Sequence, residues 1–135
     1  MINKIKSLAK ELNADIISVR RHLHQFPCLS FEEYETAQHI HSLLDSWNIE
    51  HEFLTETGII ATIKGINPEK KTIALRADID ALPIQERNKC SYRSTVPGVM
   101  HACGHDAHAT MLLGAAKILN EMKDEFEGTI KLIFQ

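Results

Sequence analysis

The stretch Lys71-Thr-Ile-Ala-Leu-Arg-Ala-Asp-Ile-Asp80 decides the fold, because it joins a strand to a pair of carboxylates. Its apolar and β-branched residues predict a central strand from Lys71 to Ala77. Asp78 and Asp80 follow, and residues two apart in an extended chain point to the same side. Open α/β sheets place their ligand crevices at such strand ends. The stretch therefore predicts a sheet and a candidate site where this strand ends.

Amphipathic helices are predicted on both sides of this strand. Apolar residues three and four apart predict the first helix from Ile2 to about His24, and Pro27 ends it. Ser30, followed by acidic residues, is the expected N-cap of a second helix that ends near Asn48. A third helix is expected after residue 101, and its apolar side consists of Met111, Leu112, Ala115, Ile118, Leu119 and Met122.

Short runs of β-branched residues predict the other strands, at residues 52–55, 59–64 and 129–134. Gly65, Asn67 and Pro68 separate residues 59–64 from 71–77, so these two runs are predicted to form a hairpin. Residues 78–102 lack periodicity, which predicts a long functional loop. This order of elements predicts an α/β fold, with helices packed on a mixed sheet.

Composition narrows the class of protein. A length of 135 residues with 44% hydrophobic residues predicts a single domain over residues 1–135. Fifteen Lys plus Arg against eighteen Asp plus Glu leave a net charge of −3, without the basic face that binding to nucleic acid or an anionic membrane needs. No apolar run is long enough to span a membrane. Three sparse cysteines and the lack of a signal sequence predict a cytoplasmic protein.

The densest chemical segment is His101-Ala-Cys-Gly-His-Asp-Ala-His108. Cys103 and His105 point to the same side of an extended backbone and could bind one metal through thiolate and imidazole. His105 and His108 share a face if the helix has begun. Asp106 at the helix start suits the helix dipole and could orient a ligand histidine. These donors favour zinc or another borderline first-row ion over magnesium or calcium.

Structural interpretations compete with these functional ones. A lone cysteine is usually a buried apolar residue and a lone histidine an ordinary polar one, but the cluster as a unit favours a metal or catalytic site. Asp78 and Asp80 could support a metal with Arg76 as counter-ion, or they could cap the strand end in a local salt bridge. Four histidines with spacings that suit no shared metal site are interpreted as structural: His22, His24, His39 and His41.

Three stretches in this order resemble the N-terminal part of the M20 metallopeptidase family: Arg21-His-Leu-His-Gln-Phe-Pro27, Leu75–Ile84 and His101–Ala116. The chain is most similar to the branch of N-acyl-amino-acid amidohydrolases, hippurate hydrolases and auxin-conjugate hydrolases. The resemblance implies a partial zinc-peptidase-like catalytic domain of an amidase that cleaves an acyl group from an amino acid. It also implies two divalent metal ions per complete site, which are zinc, manganese or cobalt.

The resemblance assigns roles to individual residues. Cys103 and His105 correspond to metal ligands, and Asp80 corresponds to the acidic residue that supports the metal centre and catalysis. Asp78 stands where the wider family has the histidine of a His-x-Asp motif, so it is given a supporting role together with Asp106 and His108. Cys28 and Cys90 are expected to be ordinary thiols.

The family pattern continues beyond residue 135. Members carry a general-base glutamate and a ligand glutamate just after the strand that here ends at Phe134, then further ligand histidines and an inserted dimerisation domain. We therefore expect residues 1–135 to be the N-terminal part of a catalytic domain, without that inserted domain or the C-terminal part. The chain is expected to be inactive alone, since a general base contributes about 10²–10⁴-fold. The partner of the complete enzyme would be a small N-acyl amino acid.

Two alternative functions are compatible with the sequence. The chain could be a non-catalytic association module that pairs with itself or a partner through an open sheet edge. It could also be a small structural zinc domain that uses Cys103, His105, His108 and an acid. The zinc domain ranks last, because closed structural sites usually have four Cys/His donors in two separated pairs.

Overall fold

The computed structural model describes residues 1–135 and consists of helices packed on a mixed four-stranded sheet, as predicted. Its elements in chain order are α1 (Ile2–Glu11), α2 (Asn13–Gln25), α3 (Tyr34–Ser46), β1 (Glu50–Phe53), β2 (Ile59–Lys64), β3 (Thr72–Ala77), α4 (His105–Glu121) and β4 (Thr129–Phe134). Two single 3-10 turns, Pro68–Lys70 and Lys123–Glu125, precede β3 and β4. No helix has both the length and the apolar character needed to cross a membrane.

The strands lie in the order β1-β2-β4-β3. Strand β4 is antiparallel to β2, with Phe134 opposite Ile59, and parallel to β3, with Thr129 opposite Thr72. The predicted hairpin between residues 59–64 and 71–77 is therefore wrong, because β4 lies between these strands. The hairpin is formed by β1 and β2 instead.

Strand β3 lies at the edge of the sheet, which corrects the expectation of a central strand. Five of its six residues are exposed, whereas β4 has hydrogen-bonded neighbours on both sides. Apolar side chains such as Ile73 and Leu75 made β3 resemble an inner strand in the sequence. Their composition indicates a strand but carries no information about its neighbours.

A glycine allows β4 to enter between its two neighbours. Gly128 has φ +96, and a Cβ at this position would lie 2.4 Å from the carbonyl oxygen of Lys71. The backbone N–H of Thr129 donates to that same oxygen at 2.7 Å, so the segment that begins β4 is in close contact with the backbone of Lys71. Only glycine combines this φ with this contact.

One core joins the sheet to α2, α3 and α4. Ile59, Ala61 and Ile63 of β2 are all buried, as expected for alternate residues that face the helices. Two helix predictions need correction. The first predicted helix is two helices that meet at Leu12. The N-cap of α3 is Glu33 instead of the predicted Ser30, and the helix begins at Tyr34, because Phe31 has φ 65 and interrupts helical geometry.

The segment between β3 and α4 contains no helix or longer strand, which confirms the predicted long loop. Single bridges anchor it: Ala81 pairs with Leu29, and Leu82 pairs with Met100. The backbone N–H of Ile79 also donates to the carbonyl of Gln135 at 3.0 Å. The loop therefore follows a defined path from the end of β3 to the beginning of α4.

Candidate metal centre

The first turn of α4 carries the residues that the sequence singled out. Gly104 has φ +84 and precedes the helix, so the chain turns sharply from Cys103 into His105. His105 and Asp106 are consecutive in the helix, and their side chains leave it in different directions, because each residue turns the helix by about 100°. The two side chains therefore enter different environments.

His105 faces the end of β3. Its Nδ1 lies 2.8 Å from Oδ1 of Asp80 and 3.1 Å from the backbone oxygen of the same residue. A ring that donates its Nδ1–H to Asp80 keeps a lone pair on Nε2, which is the arrangement typical of metal-ligating histidines. The His105 side chain is 22% exposed, so Nε2 is accessible to an ion.

Asp78 approaches the same imidazole from the other side. Its Oδ2 lies 3.9 Å from Nε2 of His105, and its Oδ1 forms an ion pair with Arg76 at 2.8 Å. The predicted counter-ion pair between Arg76 and Asp78 is therefore present. Both carboxylates of the Asp78-Ile79-Asp80 stretch therefore lie near His105, at 2.8 Å from Nδ1 for Asp80 and 3.9 Å from Nε2 for Asp78.

A polar cleft of about 480 Å³ opens at these carboxylates. It is lined by Ser30, Phe31, Glu33, Thr55, Glu56, Thr57, Arg76, Asp78, Asp80 and Gln135. Four of these side chains are acidic and one is basic, so the cleft favours a cation. It lies at the carboxyl end of β3, where α/β sheets place ligands.

Asp106 turns away from the cleft into the protein interior. It is fully buried, and its Oδ2 accepts from Nδ1 of His24 at 2.7 Å and forms an ion pair with Nε of Arg20 at 2.9 Å. The expectation that Asp106 orients a ligand histidine is therefore wrong, because Asp80 contacts His105 instead. The predicted place of Asp106 in the first turn of the helix is confirmed.

His24 links Asp106 to a second buried carboxylate. Its Nε2 lies 3.1 Å from Oε1 of Glu86, which also accepts from the Ser94 backbone at 2.6 Å and from Asn88 at 3.1 Å. Burial raises the pKa of Glu86, but the hydrogen bonds from Ser94, His24 and Asn88 outweigh it and the pKa is lowered. This network was not predicted from the sequence. His24 lies 62 positions before Glu86 and 82 positions before Asp106, and no sequence spacing relates residues so far apart.

The other residues of the His101–His108 segment lie around this centre. Cys103 is exposed, and so is His108, whose ring centroid lies 6.2 Å from that of His105 on the same helix face. His101 is buried with neither ring nitrogen hydrogen-bonded, and burial lowers its pKa to about 4. His101 is therefore neutral at pH 7.

The donors present fit a divalent metal ion in part. His105 offers an oriented Nε2, and Cys103 offers an exposed thiol that becomes a strong ligand as a thiolate. No third His, Cys, Asp or Glu donor lies with these two so that all ligand atoms fall within 4.8 Å of one another. The structure thus shows one oriented imidazole beside an acidic cleft and an exposed thiol two residues before it in the chain.

Comparisons with known proteins identify sequence relatives of this chain. Residues 74–135 match the model of peptidase family M20/M25/M40. The chain is 47% identical over 133 residues to an N-acyl-L-amino acid amidohydrolase of Geobacillus stearothermophilus, which covers 98% of this chain and 36% of the relative. It is 49% identical over 125 residues to an N-acetyl-L-cysteine deacetylase of Bacillus subtilis, with 92% and 30% covered.

Solved structures give the same result. A dinuclear metal-binding peptidase of the M20 family from Bacillus subtilis is 45% identical, with a TM-score of 0.87 over 93% of this chain and 36% of that one. A protein from methicillin-resistant Staphylococcus aureus is 44% identical, with a TM-score of 0.95 over 100% and 35%.

The class that the fold defines is that of metallopeptidase-type catalytic domains. Within that class the chain belongs to peptidase family M20, which confirms the resemblance drawn from the three sequence stretches. The chain spans about a third of the length of the curated relatives it matches.

Proposed function

We propose that this chain forms part of the catalytic domain of a metal-dependent amidohydrolase that acts on N-acyl amino acids. The observation that carries the proposal is the His105 imidazole, whose Nδ1 is 2.8 Å from Asp80 and whose Nε2 is left for an ion. The relatives named as an N-acyl-L-amino acid amidohydrolase and an N-acetyl-L-cysteine deacetylase support the substrate class. A small acylated amino acid is the proposed partner.

The roles of the site residues follow from their contacts. Cys103 and His105 are the proposed metal ligands, and Asp80 holds the His105 ring in the orientation that a ligand needs. A divalent ion bound there would polarise the scissile carbonyl and lower the pKa of a bound water. Zinc suits thiolate and imidazole best, and manganese or cobalt are the alternatives. Asp78 adds negative charge beside the ligand, while Arg76 holds its carboxylate.

We also propose that residues 1–135 form the N-terminal part of the catalytic domain and have no turnover alone. General-base catalysis needs a carboxylate that is free to take a proton. In the cleft, Asp80 is hydrogen-bonded to His105 and Asp78 is paired with Arg76. Glu33 accepts from Phe31 and Thr57, and Glu56 accepts from Tyr34, so the remaining carboxylates are also committed.

The experiment that tests the metal centre is titration of the folded chain with Co²⁺, followed by its absorption spectrum. We expect a sulfur-to-cobalt charge-transfer band that disappears in Cys103→Ser. The matched control is Cys28→Ser, which removes a half-buried thiol outside the His101–His108 segment and should leave the band intact. A band that survives Cys103→Ser would contradict the proposed ligand.

Activity is tested with a panel of N-acetyl and N-benzoyl amino acids in the presence of zinc, manganese or cobalt. We expect no release of free amino acid from this chain. Metal-dependent turnover that is lost in Cys103→Ser would support the chemistry and would contradict inactivity of the chain alone. Turnover that is equal in both proteins would contradict both proposals.

We propose a cytoplasmic location, because none of the cysteines forms a disulfide bond. Cys28, Cys90 and Cys103 are all free thiols. Unpaired thiols suit a reducing compartment. Localisation of a fluorescently tagged full-length gene product would test this.

The second candidate function is association through β3. This edge strand exposes Ile73 at 46% and Leu75 at 40%, and its outer backbone groups face away from β4. Exposed apolar edge strands pair readily with other strands. Light scattering tests the proposal: we expect a dimer that Leu75→Lys converts to a monomer, and a monomeric wild-type chain would contradict it.

A further inference from the structure

A second group of metal-type donors lies away from the candidate metal centre. His41 and Asp45 are one turn apart on α3, and His51 follows on β1. The three ligand atoms all lie within 4.8 Å of one another. Nε2 of His51 is 2.7 Å from Nδ1 of His41 and 3.7 Å from Oδ1 of Asp45. Nε2 of His41 is 3.4 Å from Oδ2 of Asp45.

His51 is prepared to act as a ligand. Its Nδ1 lies 2.7 Å from the backbone oxygen of Ile49, so Nδ1–H donates there and the lone pair is on Nε2. Its side chain is only 6% exposed, which fixes the direction of this lone pair. A backbone carbonyl that orients an imidazole in this way is the usual second partner of a metal-bound histidine.

His41 and Asp45 can adjust around this fixed donor. Two ligands of a tetrahedral zinc ion lie about 3.3 Å apart when the bonds are about 2.0–2.1 Å long. The 2.7 Å between the two imidazoles is shorter, so His41 has to move outward by a fraction of an ångström. The side chain of Asp45 is 63% exposed and that of His41 is 32% exposed, so Asp45 is free to move and His41 has an open side towards which it can shift.

We propose that His41, Asp45 and His51 bind a divalent transition-metal ion of the zinc class. Two imidazoles and one carboxylate select zinc, copper or nickel over magnesium and calcium. The ion would replace the hydrogen bond between the two histidines and would hold α3 against β1. This site shares no residue with Cys103, His105, Asp78 or Asp80, so it is independent of the proposed amidohydrolase chemistry.

The charge balance also favours a cation at this position. In the apo form, His41 Nδ1–H donates to His51 Nε2, and Asp45 keeps a largely solvent-exposed carboxylate beside the two rings. The Phe53 ring, whose centroid is 5.5 Å from that of His41, covers one side of the group.

The test is calorimetric titration with Zn²⁺ of the Cys103→Ser, His105→Gln double variant, which lacks the proposed ligands of the other centre. We expect one ion per chain. Adding His41→Gln should weaken binding about tenfold or more, and adding Asp45→Asn should weaken it less, because the carboxylate is the most exposed donor. The matched control is His22→Gln, an exposed histidine on α2 outside the group, which should change nothing.

A second measurement identifies the donor atoms. Cu²⁺ bound to the same double variant should give an electron paramagnetic resonance spectrum with coupling to two imidazole nitrogens, and His41→Gln should reduce this to one. Because His41 and Asp45 are surface residues, neither substitution should unfold the chain. Zinc binding that is unaffected by His41→Gln, or no zinc binding in a folded double variant, would overturn the proposal.

Discussion

Two histidine–aspartate pairs lie at the beginning of α4. They differ in what surrounds the ring nitrogen that does not contact the aspartate. In the pair of His105 and Asp80 the imidazole is partly exposed, and its Nε2 has no hydrogen-bond partner and lies 3.9 Å from Oδ2 of Asp78. In the pair of His24 and Asp106 the imidazole is buried and both of its nitrogens contact carboxylates. The same two residue types thus form one pair whose imidazole keeps a nitrogen available for a metal ion, and one pair whose imidazole has both nitrogens occupied by carboxylates.

The difference shows how to separate a ligand from a structural histidine. A histidine with one nitrogen fixed and the other open can bind an ion with its orientation already set. A histidine between two carboxylates is fully satisfied, and its interactions tie α2 to the long loop and to α4. The buried pair supports the position of the exposed pair, because Asp106 and His105 are neighbours in the chain.

The largest expected effect comes from breaking the buried pair. Asp106→Ala would leave Arg20 and His24 without their shared acceptor. Removal of one partner from a buried ion pair typically costs about 3–5 kcal/mol of unfolding free energy. Urea denaturation measures this loss.

The control for this experiment is Asp80→Ala, which removes the carboxylate of the exposed pair. Its unfolding free energy should fall by no more than about 1 kcal/mol, as is typical for an accessible ion pair. Equal losses in the two variants would mean that the pairs do not differ in structural role.

The next effect concerns metal affinity. Here the exposed pair matters more than the buried pair, which is the reverse of their order for stability. Asp80→Ala should weaken Co²⁺ binding to Cys103 and His105 by about 10–100-fold, because the imidazole loses the partner that orients it. Spectroscopic titration of the folded variant measures this change. Asp15→Ala is the control, since this exposed aspartate in the first turn of α2 makes no ion pair with His105. Unchanged affinity in Asp80→Ala would remove Asp80 from the site.

A third histidine environment gives the smallest effect. His39 stacks on His22 with ring centroids 3.9 Å apart, and its buried Nε2 has no hydrogen-bond partner. Burial, assisted by the charge of His22, lowers the pKa of His39 from 6.5 to about 4. In the unfolded chain the ring binds a proton below about pH 6.5, whereas in the folded chain it does so only near pH 4.

Stability should therefore be complete above about pH 6.5 and should decrease as the pH falls towards 4, by about 1–3 kcal/mol from this residue. The His39→Gln variant should lose less stability over the same interval. Urea denaturation of both proteins at several pH values within it measures the difference. Parallel curves for the two proteins would show that His39 does not contribute.

Local signals predicted most of the fold. The strand at residues 129–134 coincides with β4, and the helix after residue 101 is α4. The predicted hairpin between residues 59–64 and 71–77 was wrong. Gly65, Asn67 and Pro68 indicate a turn, but a turn does not determine whether the strands on its two sides pair with each other. The pairing of β4 with both β2 and β3 depends on contacts that are distant in sequence.

The candidate site shows the same division. Cys103 and His105 were found because they are two residues apart, and Asp78 and Asp80 because they follow a strand. His24 and Glu86 were missed, since their meeting with Asp106 depends on packing of α2 against α4 and on the path of the long loop. The role of Asp106 failed for a similar reason: a helix start predicts its position, but not which side of the helix its carboxylate faces.

The insertion of β4 between β2 and β3 also has a consequence for the order of folding. During synthesis, β3 leaves the ribosome long before β4, yet β4 supplies its paired neighbour in the sheet. The apolar residues of β3 must then remain unpaired while the long loop and α4 are made. Sheets of such non-local pairing form slowly and are exposed to aggregation. The nascent chain is therefore most vulnerable to aggregation before Gly128 and the strand β4 that follows it have been synthesised.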